Sequence, residues 1–260
     1  MNFALRINIA KMSPPRTAAT LSFRQKIKSF PLLGRALEGL WRRLTGRESL
    51  EFELRRSRKL PPNATVVKIG SNDGFQDDPT AAMLITRPLM RCVFVEPVPH
   101  LLERARQRWG NSPRFRYLGA VVNQGEAANF YYVDPRAKSA FTDWAVDPDL
   151  LGSLDKNHIL KHPGCERLEP YIHSLPLPGL TLAGVFQQGG AEQVDILHID
   201  AEGWDWKILS QLDMSRWQPV FIIMEYIHLT DAEQSEARAR FAGAYDWRVR
   251  GTDWVWERRT

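Results

Sequence analysis

The sequence predicts an α/β protein: a mostly parallel sheet with helices on both faces and a terminal antiparallel hairpin, preceded by a basic N-terminal helix. Three observations carry this. From Ala64 onward, short β-branched runs alternate with helix-length stretches, the pattern of strands joined by crossover helices. Several of those runs end in glycine or an acid, as strands that serve a ligand do. The tail "YDWRVRGTDWVWERR" alternates with period two around a glycine turn.

The elements follow in order. "ATVVKIG" (64–70), bounded by Asn63 and Gly70, is a buried strand. "DPTAAMLITRPL" (78–89) follows as a helix, with Asp78 as N-cap and Pro79 at the first helical position. "RCVFVE" (91–96) is the second strand, and "PHLLERARQRWG" (99–110) the second helix, closed by Gly110. "RFRYLGAVV" (114–122) reads as a third strand and "ANFYYV" (128–133) as a fourth paired next to it. Residues 134–180 read as irregular. "VDILHID" (194–200) resumes the alternation, and "GWDWKILSQLD" is a helix with Trp204, Ile208 and Leu212 on one face. "VFIIMEY" (220–226) is a strand, and "TDAEQSEARARFAG" opens with Thr230 and Glu233 in capping-box spacing.

Composition limits the class. A hydrophobic fraction of 43% and a charged fraction of 25% are those of an ordinary globular protein. No stretch of about 18 apolar residues suggests a membrane span, and the N-terminus lacks a signal-peptide pattern. The two cysteines, Cys92 and Cys165, are far apart and outside any CxxC, which implies a reducing compartment and no structural zinc. The expected location is cytoplasmic.

The charge is divided. Residues 1–60 hold 14 Lys+Arg against 4 Asp+Glu, and the remaining 200 hold 21 against 26. A nucleic-acid reader would carry its positive charge on the folded body, so no nucleic-acid partner is expected. The leader, residues 1–60, contains "LSFRQKIKSFPLLGRALEGLWRRL" (21–44), whose second half sets Leu32, Leu33, Leu37, Leu40, Trp41 and Leu44 near helical spacing among arginines. Such a helix suits an anionic membrane surface at the inner face of the cell, or packs on its own domain. "KLPPN" (59–63) is the expected hinge to the body, residues 61–260.

In an open parallel sheet, ligands bind beyond the carboxyl ends of the strands. The turn Gly70-Ser71-Asn72-Asp73-Gly74 lies at such an end. It lacks the G-x-G-x-x-G of a dinucleotide site and the Gly-Lys-Ser/Thr of a P-loop. Asp77 and Asp78 at the following helix would repel a phosphate. A cationic ligand without phosphate fits instead, and S-adenosylmethionine combines a sulfonium, an amino group and a ribose. Glu96 stands 22 positions after Gly74, where a carboxylate can accept both ribose hydroxyls.

Four blocks, "VVKIGSNDG", "VFVEPVPHLLERA", "LGSLDKNHILKH" and "VDILHIDAEGWDWKIL", together resemble the FkbM-type methyltransferases over roughly residues 64 to 257. The resemblance implies a Rossmann-like class I methyltransferase fold and S-adenosylmethionine as cofactor. It implies cofactor contacts at Gly70, Asn72, Asp73, Gly74 and Glu96, with Ala120 and Val121 beside the adenine. Ser139, Asp143 and Trp144 are candidates to close over the cofactor. The leader lies outside the match.

Three residues are candidates for chemistry at the acceptor. His228 is the favoured base, since an ordinary imidazole titrates near working pH; Asp200 and Glu202 would orient the acceptor or the imidazole. His198 is expected in the core, and Lys161 and His162 either touch substrate or anchor their segment. Asp200, Glu202 and Glu225 are candidate oxygen ligands for Mg²⁺, but no Asp-Asp pair accompanies them, and no metal is expected. The acceptor implied is a hydroxyl on a sugar, a glycan or a natural product. N-methylation of a peptide or amine, a non-catalytic binding module and a nicotinamide dehydrogenase are the rivals, the last lacking its glycine signature.

Overall fold

The structure, a computed structural model, describes residues 50–76, 78–141, 147–162 and 164–260. The predicted helix within 21–44, and Asp77, Asp143 and Trp144, lie outside the described residues.

Twelve described strands occur in chain order: β1 (Thr65–Ile69), β2 (Arg91–Val95), β3 (Phe115–Leu118), β4 (Val121–Val122), β5 (Ala128–Val133), β6 (Gly152–Ser153), β7 (Ile172–Leu177), β8 (Gly179–Leu180), β9 (Ile196–Ile199), β10 (Phe221–Glu225), β11 (Tyr245–Arg250) and β12 (Asp253–Arg258). The helices are α1 (Leu50–Arg56), α2 (Ala81–Thr86), α3 (Pro99–Trp109), α4 (Ala137–Ala140), α5 (Lys156–Leu160), α6 (Leu182–Gln188), α7 (Asp205–Leu209) and α8 (Asp231–Phe241). Seven strands form the main sheet in the order β3-β2-β1-β9-β10-β12-β11, with β12 antiparallel to both its neighbours and the others parallel.

The central strands are continuous apolar runs because both faces of the sheet are covered. Their side chains alternate between two cores. Val67, Ile69, Val93, Leu197, Ile199 and Met224 pack with Val185 and Phe186 of α6, Ile208 of α7 and Phe241 of α8. Val66, Cys92, Phe94, Ile196 and Ile223 pack on the opposite face with Leu54 of α1, Met83 and Leu84 of α2 and Leu102 of α3. Residues 50–60 therefore pack with this unit: Leu50, Leu54 and Leu60 are buried, and Glu53 pairs with Arg248 and with Arg250 at 3.1 Å. The capping box of Thr230 and Glu233 forms at the start of α8, and Gly110 ends α3 with φ of 75°. Among the described residues no helix is long and apolar enough to cross a membrane.

Two expectations are corrected. The apolar run 114–122 breaks at Gly119 and Ala120, and β4 leaves the main sheet to pair in parallel with β8. β5 does not pair beside β3; it lies antiparallel between β6 and β7 in a separate three-stranded sheet. Its partner β7 falls within the segment read as irregular, because a strand with no fully buried residue and a proline inside it gives little local signal. This small sheet and its loops contribute Phe130, Leu151, Gly152 and Leu154 to one wall of the ligand cavity.

The third correction concerns Asp78. The helix after β1 starts at Ala81 with Thr80 at its N-cap, and Asp78 accepts from the Thr80 amide at 2.7 Å and hydroxyl at 2.8 Å. Its other oxygen pairs with Lys68, a lysine inside β1 that is only 2% exposed. A charge in the middle of a buried strand needs such a partner. Removing one member of a buried pair typically costs about 3–5 kcal/mol, while replacing both with apolar residues is often neutral. Asp78→Ala should lose stability of that order in urea unfolding, and Lys68→Met with Asp78→Leu should recover most of it. A loss below about 1 kcal/mol in the single variant would show that the pair does not hold the strand.

Candidate active site

The site begins at the end of β1. Gly70 has φ of 72°, and a Cβ there would lie 1.7 Å from the carbonyl oxygen of Asp200. Only glycine fits this backbone crossing. The carbonyl of Val95 at the end of β2 accepts from both Gly70 and Ser71 amides at 3.0 Å, which fixes the turn to the neighbouring strand. Asn72 is also left-handed, with φ of 49°, and its amide donates to Glu96 Oε2 at 2.7 Å. The Val98 amide donates to Glu96 Oε1 at 2.9 Å. Glu96 thus sits in a buried backbone cradle, and burial outweighs those hydrogen bonds to push its pKa up to about 7.

A cavity of about 480 Å³ opens beyond these strand ends. Of the residues singled out from sequence, Gly70, Ser71, Asn72, Glu96, Ala120, Val121, Asp200, Glu202 and His228 line it. Asp73 and Gly74 do not. Asp73 Oδ1 accepts from the Phe75 and Gln76 amides at 2.9 and 2.8 Å, and Oδ2 faces Arg108 at 3.3 Å, so its carboxylate shapes the turn. Gly74 leaves room for packing: a Cβ there would lie 2.9 Å from the Phe94 ring and 3.0 Å from the Trp109 indole. His198, expected in the core, reaches the cavity wall instead.

The cavity is completed by the loops after β9 and β10. Asp200 is exposed, but its open surface faces the cavity, with protein around it. That enclosure, with the neighbouring Glu202, Asp253 and Glu96, raises its pKa to about 7. Glu202 has φ of 47° and is raised to about 7 by burial. Asp205, at the start of α7, is fully buried and accepts from the Ala201 amide at 2.9 Å and the Gly203 amide at 3.0 Å. It clamps the loop that carries Asp200 and Glu202. His228 lies 3.7 Å from Glu202 Oε2 and 3.4 Å from Glu225 Oε2. Burial, with His158, Lys161 and His162 nearby, lowers its pKa to about 4.

Sequence reasoning missed His158, whose Nε2 lies 3.3 Å from Glu202 Oε2 and whose ring centroid is 4.7 Å from that of His228. The spacing of His158 and His162, four apart, was the signal that they share a helix face. It also missed Asp205 and Asp149. Asp149 is paired with Arg104 and Lys138 at 2.6 Å, and its carbonyl accepts from the Asn72 side chain at 2.9 Å.

The cavity suits S-adenosylmethionine. Its one lysine, Lys68, is paired with Asp78, so Glu96, Asp200, Glu202 and Glu225 leave an acidic lining that favours a cation over a pyrophosphate. The buried Ser71 Oγ has no hydrogen-bond partner among the described residues and is free for a polar ligand. Gly70 keeps the turn clear of a side chain, and Glu96 retains lone pairs for ribose hydroxyls.

An acid-lined crevice at the strand ends of such a sheet suits S-adenosylmethionine, and the family match makes the protein an S-adenosylmethionine-dependent methyltransferase. The chain belongs to the FkbM family, since the methyltransferase FkbM domain matches residues 68–247. Comparison with curated proteins gives no match. Among solved structures, the chain is similar to one in a fibrillarin/Nop5p complex, at 10% identity over 80% of this chain and 78% of that one, with a TM-score of 0.37. It is also similar to a TehB-like SAM-dependent methyltransferase from Corynebacterium glutamicum, at 12% identity over 88% of this chain and 100% of that one, with a TM-score of 0.35.

Glu96 gives the site a pH signature. An ionised carboxylate attracts a sulfonium and accepts ribose hydroxyls, so with Glu96 as cofactor ligand affinity should rise as pH rises through about 7. A hydrogen bond to a charged group contributes about 1.5–3 kcal/mol. Glu96→Gln should therefore weaken S-adenosylmethionine binding roughly ten- to a hundredfold at pH 8 and flatten the pH dependence in calorimetry. A folded variant that binds like the wild type at pH 8 would remove Glu96 from the cofactor site.

Proposed function

We propose that the enzyme methylates an oxygen: a hydroxyl on a sugar, a glycan or a natural product. The observation that carries this reading is Asp200, a carboxylate facing the cavity with a pKa raised to about 7. A hydroxyl must lose its proton as the new bond forms, and a base acts best when its pKa lies near the working pH. Asp200 meets that condition. His228, favoured from sequence, is a much weaker base at about 4. Bound S-adenosylmethionine supplies a methyl carbon made electrophilic by its sulfonium. The chain's own part is to hold the acceptor oxygen in line and remove its proton, and positioning supplies much of the rate. Trp204 and the carboxylates of Glu202 and Glu225 line the same cavity, a combination suited to a polyol with one apolar face and several hydroxyls.

Asp200→Asn should lower turnover by about 10²–10⁴, with S-adenosylmethionine affinity nearly unchanged. In the wild type kcat/KM should rise with pH through about 7 and level off, since only the ionised carboxylate takes the proton. That inflection should vanish in the variant. Full activity and an unchanged profile in folded Asp200→Asn would reject the assignment.

The same reading extends to location. The basic stripe within residues 21–44 supports peripheral contact with an anionic membrane surface, where lipid-linked glycans would be within reach. Deleting residues 1–49 should abolish sedimentation with anionic vesicles while methylation of a soluble acceptor survives. Undiminished vesicle binding by the truncated enzyme would place any membrane contact elsewhere.

A further inference from the structure

Five side chains meet near one end of the cavity, none of them the group assigned above to take the acceptor's proton. His158 and His162 come from α5 and the turn that ends it, Glu202 from the loop after β9, and Glu225 and His228 from the end of β10. One ligand atom each from His158, His162 and Glu202 lie within 4.8 Å of one another, as do those of Glu202, Glu225 and His228. Glu202 joins the two sets.

The separations are informative. His158 Nε2 and Glu202 Oε2 are 3.3 Å apart, His228 Nε2 and Glu202 Oε2 3.7 Å, and His228 Nε2 and Glu225 Oε2 3.4 Å. These are long for hydrogen bonds, which centre near ~2.9 Å. They match the edge of a tetrahedron around an ion: ligands about 2.1 Å from zinc are roughly 3.4 Å from each other. His162 Nε2 and Glu225 Oε2 are buried and make no hydrogen bond among the described residues, a costly arrangement when left unfilled. Glu202 enters the cluster from a left-handed backbone, and the next residue, Gly203, would place a Cβ 3.1 Å from the His158 ring. The loop and the histidines are fitted closely together.

We propose that Glu202, Glu225 and His228, with His158 and His162 packed beside Glu202, bind one divalent transition-metal ion of the zinc class. Imidazoles with one or two carboxylates suit zinc, cobalt or iron, whereas magnesium and calcium favour all-oxygen sites. A neutral imidazole and two carboxylates also match a charge of two. His162, Glu202, Glu225 and His228 line the cavity, so the ion faces the acceptor. There it would orient the acceptor oxygen and stabilise its electron pair as the O–H bond breaks and the proton passes to Asp200. That role rests on the oxygen-methylation reading; the binding site does not.

The test uses full-length protein stripped with a chelator and titrated calorimetrically with Zn²⁺, Co²⁺ and Mg²⁺, with neither cofactor nor acceptor present. The expected result is one equivalent of Zn²⁺ or Co²⁺ at micromolar affinity or tighter, and Mg²⁺ at least about a hundredfold weaker. Bound Co²⁺ should show visible absorption bands of nitrogen and oxygen ligation. Losing even an outer-shell partner of a metal ligand costs about 10–100-fold in affinity. His228→Ala and Glu225→Gln, checked for folding by circular dichroism, should each lose at least that much. Zinc affinity no tighter than millimolar in the wild type overturns the site, as does wild-type affinity in both folded variants. Because no acceptor is present, failure of oxygen methylation would leave this result standing.

Discussion

The site depends on how closely the turn after β1 passes the carbonyl of Asp200. β1 and β9 are parallel neighbours, and their ladder continues past the strands, with the Asp200 amide donating to the Ile69 carbonyl at 2.9 Å. Gly70 then turns away with no room for a side chain. Because the Gly70 and Ser71 amides both bind the Val95 carbonyl, one crossing ties together the ends of β1, β2 and β9. The cofactor turn, Glu96 and Asp200 are thereby held around a single crevice by backbone rather than by side-chain packing. Such a scaffold is stiff at the strand ends and leaves the rest of the cavity wall to loops.

What the scaffold assembles is a concentration of acidic groups in a poorly hydrated place. Burial raises Glu96, Asp200 and Glu202 to about 7, Asp205 to about 8 and Glu225 to about 9. Neighbouring carboxylates add to the rise at Asp200, Asp205 and Glu225. Carboxylates gathered like this oppose folding when ionised, and any cation bound among them relieves that opposition. The sulfonium cofactor is one such cation. Lys68 is not available to serve as another, because Asp78 already neutralises it. The histidines point the same way: burial favours their neutral form, so they do not offset the acids around them.

The parts of this arrangement legible in the sequence are those set by local spacing. The glycine turn, Glu96 after the second apolar run and the acid after "VDILHI" follow from strand ends and short loops, and the structure places each at the cavity. The unread parts depend on partners distant in sequence. β5 pairs with β7 some 40 positions later, and nothing in "ANFYYV" names that partner. Lys68 and Asp78 are ten apart, yet the strand's apolar character hid the lysine and the helix-entry pattern claimed the aspartate. Asp73 reads equally well as a ligand group or a turn former, and only the positions of the Phe75 and Gln76 amides decide. His158 and His162 announce a shared face, but their meeting with Glu202 and His228 is a tertiary fact.

Asp205 shows how a strained group is kept where chemistry needs it. A non-glycine residue in the left-handed region costs on the order of 1–2 kcal/mol, and Glu202 would relax if the loop were free. Asp205 prevents this by accepting the amides on either side, Ala201 and Gly203. Each hydrogen bond to a charged acceptor contributes about 1.5–3 kcal/mol, so the pair outweighs the strain when Asp205 is ionised. When it is protonated, each bond falls to roughly 1 kcal/mol, and the margin narrows to near balance. Burial and Asp200 raise the Asp205 pKa to about 8, so its ionisation is opposed by the same crowding of acids that lines the cavity. A cation held beside Asp200 and Glu202 would lower that opposition, strengthen the clamp and fix Glu202 more firmly. Binding and loop geometry are therefore coupled through one buried carboxylate, with no movement of the sheet required.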